Sequence, residues 1–246
     1  MSEADKVRVS KLMAAQGLCS RREADSYIER GLVFVDGERI TELGTKVLPH
    51  QKITLASKAA HEQTARVTIL INKPIGYVSG QPEPGFKPAV VLVLPETHYA
   101  QDRGPQRFER SHLRGLAPAG RLDIDSTGLL VLTQDGRIAR RLIGPDNGVE
   151  KEYLVRVEGK LAARGLELLN HGLSLDGAAL KPASVTWQNR DQLRFILQEG
   201  KKRQIRRMCE LVGLDVTGLK RVRIGQVRLG DLPLGQWRYL GAGETF

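Results

Sequence analysis

The sequence predicts an α+β fold in two parts, a small N-terminal module and a larger domain on a mixed, mainly antiparallel sheet. Three observations predict it. Strand-like and helical runs are mixed without the strict alternation of a parallel βαβ fold. Residues 1–56 hold a capping-box helix and a tight Asp-Gly hairpin. Residues 57–66 (SKAAHEQTAR) are polar and aperiodic, and they separate that unit from a β-branched strand that opens residues 67–246. At 246 residues, 41% of them hydrophobic, the chain has material for one medium core beside a small one.

In the first unit, Leu12, Met13 and Ala15 begin a short helix that Gly17 stops. In SRREADSYIERG, Ser20 and Glu23 match the capping-box pattern, so a second helix starts at Ser20. Ala24, Tyr27 and Ile28 share one face at i, i+3, i+4, with Arg21, Arg22 and Arg30 outside it. Gly31 ends the helix. LVFVDGERI reads as two strands around Asp36-Gly37, a strong hairpin signal. One reading is a helical domain with a solvated charged face. The sharper one lays Arg21, Arg22 and Arg30 on phosphates. From helix pair to hairpin the stretch resembles the S4 domain of ribosomal and RNA-modifying proteins, which implies binding to structured RNA and no chemistry of its own.

Residues 57–66 read as a linker. In the second domain, strand-like runs recur at VTILINKP, GLLVLT, EYLVRVE, SVTW, LRFILQ and QVRL. Residues 80–118 are rich in Pro and Gly around an apolar island at 90–94, an irregular stretch long enough to be functional or mobile. RQIRRMCELVG reads as an amphipathic helix with Ile205, Met208, Cys209 and Val212 as its apolar stripe.

The formal net charge is +10, and it is uneven. Residues 1–60 hold 10 basic and 8 acidic residues, whereas residues 194–228 hold 10 basic and 3 acidic. No basic amphipathic membrane helix or apolar run of membrane length is present, so nucleic acid is the expected partner. The N-terminal MSEADKVRVS lacks the apolar core of a signal peptide, and Cys19 and Cys209 stand in no CxxC setting. Both features suit a cytoplasmic protein. His61-Glu62 begins an HExx string with no second histidine in place, so no metal site is expected.

Against that charge, GRLDIDSTGLLVLTQDG (residues 120–136) sets Asp123 and Asp125 in front of a buried strand. As a calcium loop it fails at its twelfth position, Gln134, where a bidentate Glu is needed. As the D-x-D-x-T of aspartyl-nucleophile phosphatases it has the order reversed, acids first and apolar strand after. A turn capped by Asp125 and Ser126 accounts for Asp125 but not for Asp123, two residues after Arg121. An aspartate held ionised by arginine in an RNA path serves as nucleophile or base.

This stretch resembles the catalytic signature of the RsuA-type family of ribosomal RNA pseudouridine synthases. LINKPIGYVSG, EKEYLVRV and GKKRQIRRMCELVG follow in the family's order behind the S4-like unit, so the resemblance spans nearly the whole chain. Two departures stand out: Ala119 replaces a larger apolar residue, and residues 86–114 have no counterpart. The C-terminal stretch from Arg203 resembles the large-subunit (23S) rRNA branch most. The resemblance implies a monomeric, cofactor-free isomerase that turns a flipped-out uridine into pseudouridine. It maps Asp123 onto the essential aspartate, Tyr153 onto the active-site tyrosine, and Arg206 onto the arginine that pairs with the aspartate. Arg121, Arg203, Gln204 and Arg207 would bind the substrate. The same chemistry on 16S rRNA or a tRNA anticodon loop is the alternative. A non-catalytic S4-type RNA-binding factor is the rival from another class, and it would need the grip without Asp123, Tyr153 and Arg206 together.

Overall fold

The computed structural model describes residues 5–81, 84–102, 104, 106–144 and 148–246. In the N-terminal part, β1 (Val7–Arg8) leads into α1 (Val9–Ala15), which packs against α2 (Arg21–Glu29). A small sheet of β2 (Val33–Val35), β3 (Glu38–Ile40) and β5 (Ile53–Leu55) lies beside them, and β4 (Lys46–Val47) pairs with β1. The capping box is complete. Ser20 Oγ accepts from the Glu23 amide at 3.3 Å, and the Glu23 carboxylate accepts from the Ser20 amide at 2.5 Å. Asp36 and Gly37 take φ of 50° and 90°, as a two-residue hairpin turn requires. Met13, Tyr27, Ile28 and Val33 centre a separate small core.

Within residues 57–66, read as a polar, aperiodic linker, Ser57–Thr64 form helix α3. Its inward face is only Ala59 and Gln63, one small residue and one polar, so no apolar period marks it. Buried Gln63 is satisfied by the Tyr27 hydroxyl, which donates to it at 3.1 Å, and by Asp135, to which it donates at 3.3 Å. The Arg66 guanidinium donates to the Glu23 carboxylate, to the Gln134 carbonyl at 2.6 Å and to the Tyr27 hydroxyl at 3.2 Å. Glu23 also accepts from the Gly136 amide at 3.0 Å. The segment is therefore part of a bonded joint between the two units.

The larger unit is built on a sheet of nine strands among the described residues. Its main path uses β6 (Thr68–Lys73), β10 (Thr127–Thr133), β11 (Lys151–Gly159), β14 (Ser184–Asn189), β15 (Gln192–Leu197), β16 (Leu214–Ile224) and β18 (Trp237–Tyr239), in the spatial order β14-β15-β11-β16-β10-β6-β18. Short partners complete the architecture. β7 (Tyr77–Val78) pairs with β8 (Lys87–Pro88), and β12 (Ser174–Leu175) with β13 (Ala178–Ala179); β9 (Ala117–Pro118) lies on β10, and β17 (Val227–Arg228) on β16. Within the nine strands only β10 and β16 run parallel, so the sheet is mixed and mainly antiparallel.

β10 reads as an unbroken apolar run because both of its faces are buried. Leu130 and Leu132 join a core closed by α5 (Gly165–Asn170) and α6 (Gln204–Leu211); Leu129 and Val131 join a second core under α4 (Gly136–Ile143). Each such side chain contributes about 1.5–3 kcal/mol on burial. The expected stripe of α6 is the buried one: Ile205, Met208, Cys209 and Val212 all face the first core. Within the stretch that the family resemblance left unplaced, residues 94–102 lie over edge strand β18. His98 stacks on Trp237 with ring centroids 4.2 Å apart, Trp237 Nε1 donates to the Leu94 carbonyl at 2.8 Å, and Asp102 accepts from the Tyr239 amide at 2.9 Å. The segment thus covers an edge that would otherwise be open to pairing.

The register aligns one row across the sheet: Lys73 opposite Gly128, Gly128 opposite Arg221, Arg221 opposite Tyr153. The row depends on Gly128. Its φ is 103°, and a Cβ there would stand 2.2 Å from the Arg221 carbonyl oxygen. Gly128→Ala is expected to lower the unfolding free energy by about 2–4 kcal/mol, from backbone strain and the displaced strand. Urea denaturation of the two proteins checks it; equal midpoints would contradict the register.

Candidate active site

Residues 121–126 lead into β10, and their backbone is held at every step. The Arg121 carbonyl accepts from Arg221 Nη1 at 3.0 Å, and that of Leu122 from Ser79 Oγ at 2.7 Å. The Asp123 carbonyl accepts from the Ser126 amide at 3.1 Å, and that of Ile124 from the Gly76 amide at 2.9 Å. The Asp125 carbonyl accepts from Arg206 Nη2 at 3.0 Å. Ser79 Oγ also accepts from the Leu122 amide at 2.8 Å. Leu122 and Ser126 are buried, while Asp123 between them is half-buried. Among the described residues, nothing hydrogen-bonds the Asp123 carboxylate. The loop is fixed through its main chain and not through the side chain of Asp123.

Two buried cations support this loop from the sheet, and sequence reasoning passed over both. Lys73 Nζ donates to the Pro74 carbonyl at 2.9 Å and the Tyr77 carbonyl at 3.0 Å, closing the turn that presents Gly76 and Ser79. Burial pushes its ammonium down to about 8, against the pull of Asp125 and Asp123. Arg221, 3% exposed, donates through Nε to the Leu129 carbonyl at 2.7 Å, besides its bond to Arg121. Its guanidinium carbon lies 5.9 Å from the centroid of the Tyr153 ring. The available signal was a charge at the inward parity of a buried strand: Lys73 follows Ile69 and Ile71, and Arg221 follows Leu219. Tyr153 itself shares the buried face with Val155 and Val157, as its strand spacing required.

α6 reaches the loop from the other side. Its N-cap, Arg203, takes a left-handed φ of 50° and pairs with Asp125 at 3.0 Å. Arg206 pairs with the other oxygen of Asp125 at 3.2 Å and donates to the Val216 carbonyl at 3.0 Å. The expected partner of Arg206 was Asp123; its ion pair is instead with Asp125. The reason is local. The bond from Ser126 N to Asp123 O makes a turn with Asp125 at its exposed corner, within reach of the first turn of α6.

Other expected contact residues are engaged elsewhere. Gln204 is buried, accepting from the Lys201 amide at 2.9 Å and donating to Glu199 at 2.8 Å, so it braces the GKKR loop instead of facing a substrate. Arg207 pairs with Asp176, between β12 and β13, at 2.6 Å. Arg30 makes a two-pronged pair with Glu62 of α3 at 2.6 and 2.9 Å. Arg21 and Arg22 are exposed at the start of α2, and the Arg121 side chain is exposed beside the aspartate loop. Asp123, Arg121, Arg203 and Arg206 thus belong to one locus, linked to Tyr153 through Arg221. No three His, Cys, Asp or Glu side chains converge as metal ligands among the described residues.

This chain matches known proteins along nearly its whole length. The model of the RNA pseudouridylate synthase family matches residues 67–211, and that of the S4 domain matches residues 7–53. The chain is 36% identical over 240 residues to the dual-specificity RNA pseudouridine synthase RluF of Escherichia coli strain K12, covering 97% of this chain and 77% of that one. It is 36% identical over 255 residues to the ribosomal large subunit pseudouridine synthase B of Salmonella typhimurium, covering 97% and 80%. A crystal structure of a pseudouridylate synthase matches with a TM-score of 0.63 at 25% identity, covering 95% of this chain and 96% of that one. No helix among the described residues is long and apolar enough to cross a membrane. The chain belongs to the RNA pseudouridine synthase family: an α+β enzyme that carries an S4 RNA-binding domain and isomerises uridine to pseudouridine in RNA.

Proposed function

We propose that the substrate is a specific uridine of large-subunit (23S) ribosomal RNA, that the enzyme works as a cytoplasmic monomer, and that Asp123 is its catalytic carboxylate. The observation that carries the site reading is the aspartate loop: five successive carbonyls are bonded, and the Asp123 carboxylate is not. The large-subunit enzyme among the relatives supports the choice of RNA. The dual specificity named for RluF favours a second RNA target, with a tRNA anticodon loop as that second reading.

The reaction breaks the C1′–N1 bond, turns the uracil and joins C5 to C1′; the C5 proton is lost and N1 gains one. No electron leaves or enters. The uridine must first leave its stack, at a cost of about a few kcal/mol. Tyr153 supplies the ring that replaces part of that stacking, and a carboxylate beside C1′ and C6 acts on the released base. Arg203 and Arg206 hold the turn at Asp125 and set a positive field beside the acid, which offsets the negative field of an RNA backbone. Arg21 and Arg22 grip phosphates on the S4 domain.

Asp123→Asn is expected to abolish pseudouridine formation, more than 10³-fold in rate, while the fold and RNA affinity are retained, since removal of a group that reacts directly costs that order. Asp125→Asn is expected to be far milder. Mass-spectrometric mapping of modified RNA checks both, and full turnover by Asp123→Asn would falsify the assignment. Arg206→Ala is expected to slow the reaction at saturating RNA more than it weakens binding, because the guanidinium holds the catalytic loop. Single-turnover rates at rising RNA concentration decide it; complete rescue at high RNA would make it a groove residue. Replacing Arg21 and Arg22 by Ala is expected to flatten the plot of log affinity against log salt by about 0.7–0.9 for each phosphate no longer neutralised, with the saturated rate unchanged. An unaltered slope would remove them from the RNA path.

A further inference from the structure

We propose that Arg221 is a positioning residue of the reaction: one guanidinium that sets the aspartate loop and the tyrosine ring in a common frame. The inference rests on the reading of Asp123 and Tyr153 given above.

Arg221 is almost wholly buried, yet it forms no ion pair with a carboxylate among the described residues. Its neighbour Arg223 shows the usual solution, with Glu150 at 3.0 Å and Glu152 at 2.7 Å. A buried cation without an acid is expensive, and an apolar side chain of similar volume fills a purely structural position at lower cost. The bonds of Arg221 show what the charge is kept for. Nη1 holds the Arg121 carbonyl two residues before Asp123, Nε holds the Leu129 carbonyl at the head of β10, and the guanidinium lies against the Tyr153 ring.

Two backbone irregularities converge to allow this. The pairing of β11 with β16 slips between Glu152 and Tyr153, from Glu152 opposite Arg223 to Tyr153 opposite Arg221, skipping Val222. Without that bulge Tyr153 would face Val222; bulges beside active sites re-aim a side chain in this way. On the other flank, Gly128 offers no side chain, and the β16 backbone approaches it more closely than any Cβ would permit. Lysine cannot replace the arrangement. Its single nitrogen lacks the planar fork that bonds two carbonyls while the guanidinium lies over a ring.

Five full-length variants test the inference on one RNA under single-turnover conditions: Arg221→Lys, Arg221→Met, Tyr153→Leu, Tyr153→Leu combined with Arg221→Lys, and Asp123→Asn. Urea midpoints and RNA affinities are measured for each. Arg221→Lys is expected to remain folded, to bind RNA within about threefold of wild type, and to react about 10²-fold more slowly at saturation, the cost of a misplaced catalytic geometry. Arg221→Met is expected to lose at least as much. Added to Tyr153→Leu, the Arg221→Lys loss is expected to fall well short of multiplying, since both disturb one placed ring. A folded Arg221→Lys that reacts within about threefold of wild type, or whose loss lies wholly in affinity, overturns the proposal. If Arg221→Met fails to fold, the lysine variant, which keeps the charge and the stem, decides. An inactive Asp123→Asn beside a fully active Arg221→Lys sinks the positioning role alone. An active Asp123→Asn sinks the underlying reading of the site.

Discussion

Hydrogen bonding of five consecutive main-chain carbonyls, from Arg121 to Asp125, is the constraint on which the site depends. The donors come from β16, from the 74–79 turn, from the loop's own Ser126 amide and from α6. Each bond is worth only about 0.5–1.5 kcal/mol net, or about 1.5–3 kcal/mol where an arginine donates. Their joint effect is geometric. A surface loop normally samples many backbone states, and fixing each residue costs about 1–2 kcal/mol of conformational entropy. Here folding meets that cost before RNA arrives. An acid carried on such a loop needs no reorganisation when a uridine is presented to it.

The same constraint explains why charges sit inside the sheet. Lys73 and Arg221 flank Gly128 in one row; Lys73 donates to the Pro74 and Tyr77 carbonyls, and Arg221 to the carbonyls of Arg121, in the aspartate loop, and Leu129, in β10. Removing either would free a turn as well as leave carbonyls unpaired in a buried setting. An acid in a basic, RNA-binding chain is then no anomaly. Arg203 and Arg206, at the start of basic helix α6, hold the corner of the loop at Asp125. The joint built by Glu23, Gln63 and Arg66 places the S4 domain against the end of β10, the strand that begins with this loop.

Much of this was legible in the sequence where the signal is local. The capping box at Ser20 and Glu23, the Asp36-Gly37 turn, the doubly buried strand after Asp125 and the apolar stripe of α6 all follow from neighbours a few residues apart. Four ordered motifs pointed to the catalytic region through their resemblance to a known family. What was not legible depends on long-range register. Helix α3 hides because its inward positions are Ala59 and Gln63, and Gln63 is tolerated inside only through Tyr27 and Asp135, far away in sequence. The partner of Arg206 is Asp125 because a turn two residues wide decides which carboxylate meets α6. Arg221 faces Tyr153 only through a bulge that skips Val222. Gln204, Arg207 and Arg30 share the composition of a binding surface, but their partners, Glu199, Asp176 and Glu62, are set by tertiary contacts.

The central claim is that the aspartate loop is ordered before RNA binds. Native-state hydrogen exchange of the free protein tests it most directly, at the amides of Gly76, Leu122 and Ser126, which donate to Ile124, Ser79 and Asp123. These amides are predicted to exchange as slowly as those of strand β10 and to change little when substrate RNA is added. Fast exchange in the free protein, with protection gained only on RNA binding, would contradict the account and make the loop a product of the complex.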